Sequence, residues 1–189
     1  MSGPGRVDRV VLATEAMFND ATYGLNAQLA NVRAEYSPAL TTGQLPDVQQ
    51  VDTYLHRTGE GVSLKYPYVS IIPVQLPTEL EPNSRFYDVR MQVTVVVLEQ
   101  LINGPGPDVA RAAWLMWDGL LRLHNLRRNA DNPSPSTPTG KTLFNGGSTC
   151  TGRVIHSSLG DARLVQDRRV GLANYAIRGQ LTARVAGNY

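Results

Sequence analysis

With 189 residues, 42% of them hydrophobic and 18% charged, the chain has the composition of one folded domain with a sizeable core, which excludes a disordered protein. A formal net charge of +2 argues against a dominant nucleic-acid footprint. Cys150 is the only cysteine, so an internal disulfide and a thiolate metal cluster are both excluded. No run of about 18 apolar residues occurs, so no membrane span is expected. The opening "MSGPGRVDRV" lacks the apolar core of a signal peptide, which leads us to expect synthesis and use in a cytoplasm. Lys65 and Lys141 are the only lysines, the remaining basic residues being arginines, whose planar fork suits carboxylate pairing and stacking at interfaces.

In chain order, Val7, Val10, Val11, Thr14, Met17 and Phe18 follow the spacing of a buried helical stripe. Asn19, Asp20 and Gly24 interrupt it, and Leu25, Leu29 and Val32 resume it, which predicts two short helices or one broken helix. "SPALTTGQLPD" is turn chemistry, and "VQQVDTYLHRT" reads as a strand or an irregular edge segment. "VSLKYPYVSIIPVQLP" is rich in β-branched and aromatic residues, with Pro67, Pro73 and Pro77 interspersed. Because proline cannot donate to a ladder, this strand is expected at an edge or with bulges. "TELEPNSR" is a polar connection in which Glu79 and Glu81 read as a solvated turn.

The clearest pattern is "FYDVRMQVTVVVLEQ". Tyr87, Val89, Met91, Val93, Val95 and Val97 fall on one face, with Asp88, Arg90, Gln92 and Thr94 on the other. This predicts a long strand with one face on the core and the other in water or against a neighbouring subunit. After "NGPGPD", Asp108 is a candidate N-cap for a helix through "VARAAWLMWDGLLRLHNLRR". Val109, Ala113, Met116, Leu120 and Leu123 form its buried stripe, broadened by Ala112, Trp117 and Leu121, while Arg127 and Arg128 complement its C-terminal dipole.

Residues 129–152, "NADNPSPSTPTGKTLFNGGSTCTG", form a Pro/Ser/Thr/Gly-rich loop far longer than an ordinary connection. "RVIHSSLG" reads as a strand, "DARLVQDRR" as a connection and "VGLANYAIRGQLTARVA" as a final strand, with Ala173, Tyr175, Ile177, Leu181 and Val185 on one face and Asn174, Arg178 and Arg184 on the other. Helices segregated from a mainly antiparallel sheet give an α+β fold for a single domain over 1–189, with one strong amphipathic helix and an N-terminal helix packed on it.

Motifs for chemistry are weak. Gly140, Lys141 and Thr142 mimic the end of a phosphate-binding loop, but the position that needs its first glycine is Pro135, and Thr142 is followed by "LFNGG" in place of a helix. His56, His124 and His156 form no ligand pair, and Cys150 lies in a Gly-Ser-Thr turn with no base indicated nearby. Ser157 and Ser158 lack the glycines of a nucleophile elbow. Trp114 and Trp117 stand at helical spacing, which suits core or subunit packing. No cofactor, no metal and no catalytic centre are expected.

The layout resembles the tail terminator proteins of long-tailed bacteriophages. The likeness rests on the helix "RVVLATEAMF", the proline-punctuated strand "YPYVSIIPVQLP", an acidic turn, and the long strand "YDVRMQVTVVVLEQ". It continues with the helix "DVARAAWLMWDGLLRL" and the closing strand "ANYAIRGQLTARV", over roughly residues 7 to 126 and 153 to 186. The long stretch before the proline-rich strand and the 129–152 loop depart from the pattern. They leave the related neck or stopper protein and the tail tube subunit as alternatives within the virion. An enzyme with an unrecognised site and a soluble ligand-binding module are rivals from other classes. The resemblance implies a structural virion protein made in the host cytoplasm, a ring of six copies that caps the tail tube, stops its polymerisation and meets the neck of the head. Its partners would be itself, the tail tube protein and the head-neck stopper, with DNA a non-specific passenger through the pore, which a near-neutral charge permits. Within the 129–149 segment, Pro138, Lys141, Leu143 and Phe144 are the candidate contacts to an adjacent subunit or to the tube. Ordering such a loop costs about 1 to 2 kcal/mol of backbone entropy per residue, which a neighbour could offset.

Overall fold

A computed structural model describes residues 6–53, 64–75, 86–102, 108–128, 153–169 and 172–186. The order is α1 (Arg6–Phe18), α2 (Leu25–Ala34), β1 (Gln50–Thr53), β2 (Tyr68–Gln75), β3 (Phe86–Leu98), a short 3-10 turn (Glu99–Leu101), α3 (Val109–Arg128), β4 (Arg153–Arg169) and β5 (Leu172–Ala186). The strands form one five-stranded sheet in the order β1-β2-β3-β5-β4. Only β1 runs parallel to its neighbour, so the sheet is mixed and mainly antiparallel. The architecture is α+β, as the order of elements predicts.

Period-2 burial sets the faces. Val89, Met91, Val93, Val95 and Val97 are fully buried in one apolar cluster with Val69 and Ile71 of β2 and Ile177 and Leu181 of β5. Both α1 and α3 cover this face. On α1, Val10, Val11, Met17 and Phe18 join the cluster, and the Thr14 hydroxyl donates to the Val10 carbonyl (2.8 Å), with the Met91 sulfur 3.7 Å from its oxygen. On α3, Ala112, Ala113, Met116, Trp117, Leu120 and Leu123 do the same. Asp108 caps α3 through its carboxylate, which accepts from the Arg111 N–H at 2.7 Å.

The broken-helix signal resolves into two helices joined by a tight turn. The Asp20 carboxylate accepts from the Thr22 and Tyr23 N–H groups at 2.9 and 2.8 Å. Gly24 closes that turn so tightly that a Cβ there would lie 2.3 Å from the Asp20 carbonyl oxygen and 2.7 Å from that of Phe18. Both neighbours are backbone and cannot swing aside. Gly24→Ala is therefore expected to cost about 2 to 3 kcal/mol, at the upper end for single substitutions, as a lower thermal melting temperature would show.

α2 packs on α3 where Gly119 removes a side chain: a Cβ there would meet a Leu29 methyl at 2.9 Å. Arg122 of α3 clips the end of α2, donating to both oxygens of Glu35 and, at 2.8 Å, to Asp118 one turn back. The Arg122 guanidinium holds the Glu35 carboxyl below its ordinary range. Asn26 fixes the chain leading into β1 by a two-way bond with the Val48 backbone, at 3.0 and 2.8 Å.

Two strand readings are refined. β2 lies second in the sheet, with β1 alongside only Tyr68–Ile71. Pro73 falls beyond that pairing, at a register shift between Pro73 and Gln75, so the missing N–H costs no β1 bond. The expectation that "DARLVQDRR" is a connection is corrected: β4 continues through it to Arg169. The Gly160-Asp161 pair resembles a turn signal, but it opens a bulge. Asp161 takes a positive φ of 54°, and the register shifts between Gly160 and Arg163, so that Asp161 and Ala162 oppose the single residue Gly179.

Candidate functional site

The face of the sheet away from α1 and α3 carries the even-numbered residues of β3 and β5 and, among the described residues, has no helix on it. It is not uniform. Near the end of β3, Val96 and Leu98 are buried there, as is Ala176 of β5. Along β2 the same face is open, with Ile72 at 44% and Val74 at 51% of full exposure. Tyr68 is half-buried beside Arg178, and burial pushes its phenol above the ordinary range, opposed by the arginine charge.

A groove of about 460 Å³ crosses this face, lined by Val74, Gln92, Asp161, Arg163, Arg178 and Gln180 among others. The four strands β2, β3, β5 and β4 each contribute to it, and the bulge in β4 determines which β4 residues line it. Arg163 and Arg178 are directly opposed across β4 and β5. Like charges in that relation destabilise a sheet. Neither makes a salt bridge among the described residues, although each is exposed. Farther along the same face, the directly opposed Asp88 and Arg184 are matched, with the guanidinium donating to the two carboxylate oxygens at 2.7 and 2.9 Å. One cross-strand pair is thus matched in charge, while the other sets two arginines side by side with no salt-bridge partner among the described residues, in a groove that Asp161 also lines.

None of the remaining candidates among the described residues lines the groove. His124 Nε2 and Ser157 Oγ lie 2.8 Å apart, both buried where α3 crosses β4. Neither lines the groove, and the pairing across distant sequence was not visible from local motifs. Ser158 is exposed on β4. The two tryptophans part company: Trp117 is buried over Gly179, while Trp114 is 42% exposed. A smaller hollow of about 260 Å³ lies beside Asp20, Asn26 and Val48, whose polar groups already serve the turn and the β1 lead-in. The contact residues expected in the long loop, Pro138, Lys141, Leu143 and Phe144, lie outside the described residues, as do His56, Glu79, Glu81, Cys150 and the side chain of His156.

No protein-family model matches the sequence, and no curated protein matches it. The sequence reading missed Arg163 by assigning its segment to a connection. Arg178 was assigned to the correct face, but its cross-strand partner requires the bulged register to be known.

Proposed function

We propose that this chain is a structural assembly protein of a long-tailed phage virion, the tail terminator that caps the tail tube as a ring, ends its polymerisation and joins it to the head. The observation that carries the reading is the asymmetry of the sheet. One face is sealed by helices, and the other holds an open groove with an arginine pair that has no salt-bridge partner among the described residues, beside exposed Ile72 and Val74, a surface suited to burial against protein. The order of helices and strands that carries the resemblance is also the order in the fold. No helix among the described residues is long and apolar enough to cross a membrane. The buried His124–Ser157 pair supports a packing role over a catalytic one, since no substrate reaches it without moving α3.

A lysate of phage lacking this gene tests the reading. Filled heads unjoined to tails, together with tails of irregular excess length, are the expected outcome by electron microscopy. Unjoined tails of normal length would assign the chain to the neck or stopper instead, and normal virions would remove both.

A further inference from the structure

We propose that β4 pairs antiparallel with β4 of a second copy across a two-fold axis at Val165, so that one sheet runs through both copies of the free protein. The two edges of the sheet differ. At one, β1 is only 4 residues long, and β2 beyond it carries Pro73 at a register shift. Short strands, prolines and irregularities are the usual means of keeping a sheet edge from pairing with another chain. At the other edge, β4 runs for 17 residues without a proline or a lysine, and among the described residues only β5 pairs with it. The bulge at Gly160 and Asp161 interrupts it, after which the register with β5 is unbroken from Arg163 to Arg169.

Charge selects both the occupant and the register. A two-fold axis normal to an antiparallel pair sets one residue opposite itself, because opposed residues must lie on the same side of the sheet. Near the middle of the regular run, an axis at Leu164 would oppose Asp161 to Asp167, and one at Gln166 would oppose Arg163 to Arg169. Like charges in that relation destabilise the pair. An axis at Val165 instead sets Arg163 of each copy opposite position 167 of the other, an aspartate, and symmetry makes the match twice. Arg163 is exposed and has no salt-bridge partner among the described residues, so the contact supplies one. The apolar residues agree. Val165 meets its own counterpart on the open side of the sheet. Leu164, 37% exposed on the helical side opposite buried Ile177, lies diagonal to its counterpart, within reach of a long side chain. The inference goes beyond the ring reading and does not depend on it. A two-fold contact closes on itself, whereas a ring needs a heterologous one, so this pairing belongs to the free chain.

Sedimentation velocity on the full chain should show a reversible monomer–dimer equilibrium. Arg163→Glu and Asp167→Arg should each weaken the dimer by roughly tenfold or more. An equimolar mixture of the two variants should recover it, since each copy then offers the charge the other needs, and so should the chain carrying both changes. Melting of Arg163→Glu should stay close to wild type, because the side chain is exposed. In a Cys150→Ser background, Val165→Cys should form a covalent dimer under mild oxidation. Directly opposed strand residues have Cα atoms about 4.5 to 5.5 Å apart, inside the roughly 4.4 to 6.8 Å that a disulfide spans. Ser158→Cys, exposed on the same strand but beyond the bulge, should not cross-link. A wild-type chain that stays monomeric at high micromolar concentration would overturn the pairing and leave the ring reading in place. A dimer or ring that Val165→Cys does not trap would put the contact elsewhere and overturn it too. Failure of both the mixture and the double variant to recover would overturn the register.

Discussion

Val95→Asp is expected to abolish accumulation of soluble protein. Val95 is fully buried at the middle of the central strand, between Val69 of β2 and Ile177 of β5, beneath the helical layer. An aspartate there would be a carboxylate with no designed partner in an apolar cluster, at a cost of several kcal/mol. That is a large share of the roughly 5 to 15 kcal/mol that holds a domain folded. Protonation would relieve the charge but still leave a buried polar group without a hydrogen bond. Val93→Asp should behave alike. Gln92→Glu, one residue away on the groove face, should leave the melting temperature within a few degrees of wild type. Thermal melts and the soluble fraction distinguish these outcomes, and normal melting of Val95→Asp would mean that the faces of β3 are assigned backwards.

The second large effect lies at the crossing of α3 and β5. The Trp117 indole rests directly on Gly179, where a Cβ would come within 2.3 Å of the ring. Trp117→Ala is expected to cost about 3 to 5 kcal/mol, the range for removing a large buried aromatic side chain. Gly179→Ala should also destabilise, because the indole is only 3% exposed and packed among core residues, and the bulged β4 backbone leaves little room on the other side. The two effects arise from one contact. In the double variant the new methyl enters the space that the indole vacates, so the combined loss should be clearly less than the sum. Urea unfolding of the three variants measures the difference, and strict additivity would show that the glycine serves some other purpose.

Much of this fold was legible because burial on one face leaves a period in the sequence. The alternation from Tyr87 to Val97 locates the central strand and its core side, and the stripe from Val109 to Leu123 locates α3 with its cap at Asp108. The break at Asn19 to Gly24 was readable for the same kind of reason, since the turn depends on an Asp side chain and a residue without a Cβ. β4 was legible only up to Gly160. Beyond it the bulge displaces the alternation by one residue, and the outer face becomes polar, so no local pattern survived to identify a strand. The candidate site was less legible still. It depends on which residue of β4 opposes which residue of β5, a pairing that no local window contains.

The central strand has one further consequence, which concerns synthesis. β3 is flanked by β2, made just before it, and by β5, which pairs from Phe86 opposite Ala186 to Leu98 opposite Asn174. A ribosome therefore delivers β1, β2 and β3 long before it delivers the strand that completes them. During that interval the valine-rich stretch from Val93 to Val97 has an open edge along its length, and α3, itself encoded later, does not yet cover its apolar side. Pairing at such separation is slow to form, because closure entropy must be lost before any contact is gained. Nascent chains that stall before Leu172 should consequently aggregate and be cleared, and premature release should yield no folded fragment able to compete with the intact protein.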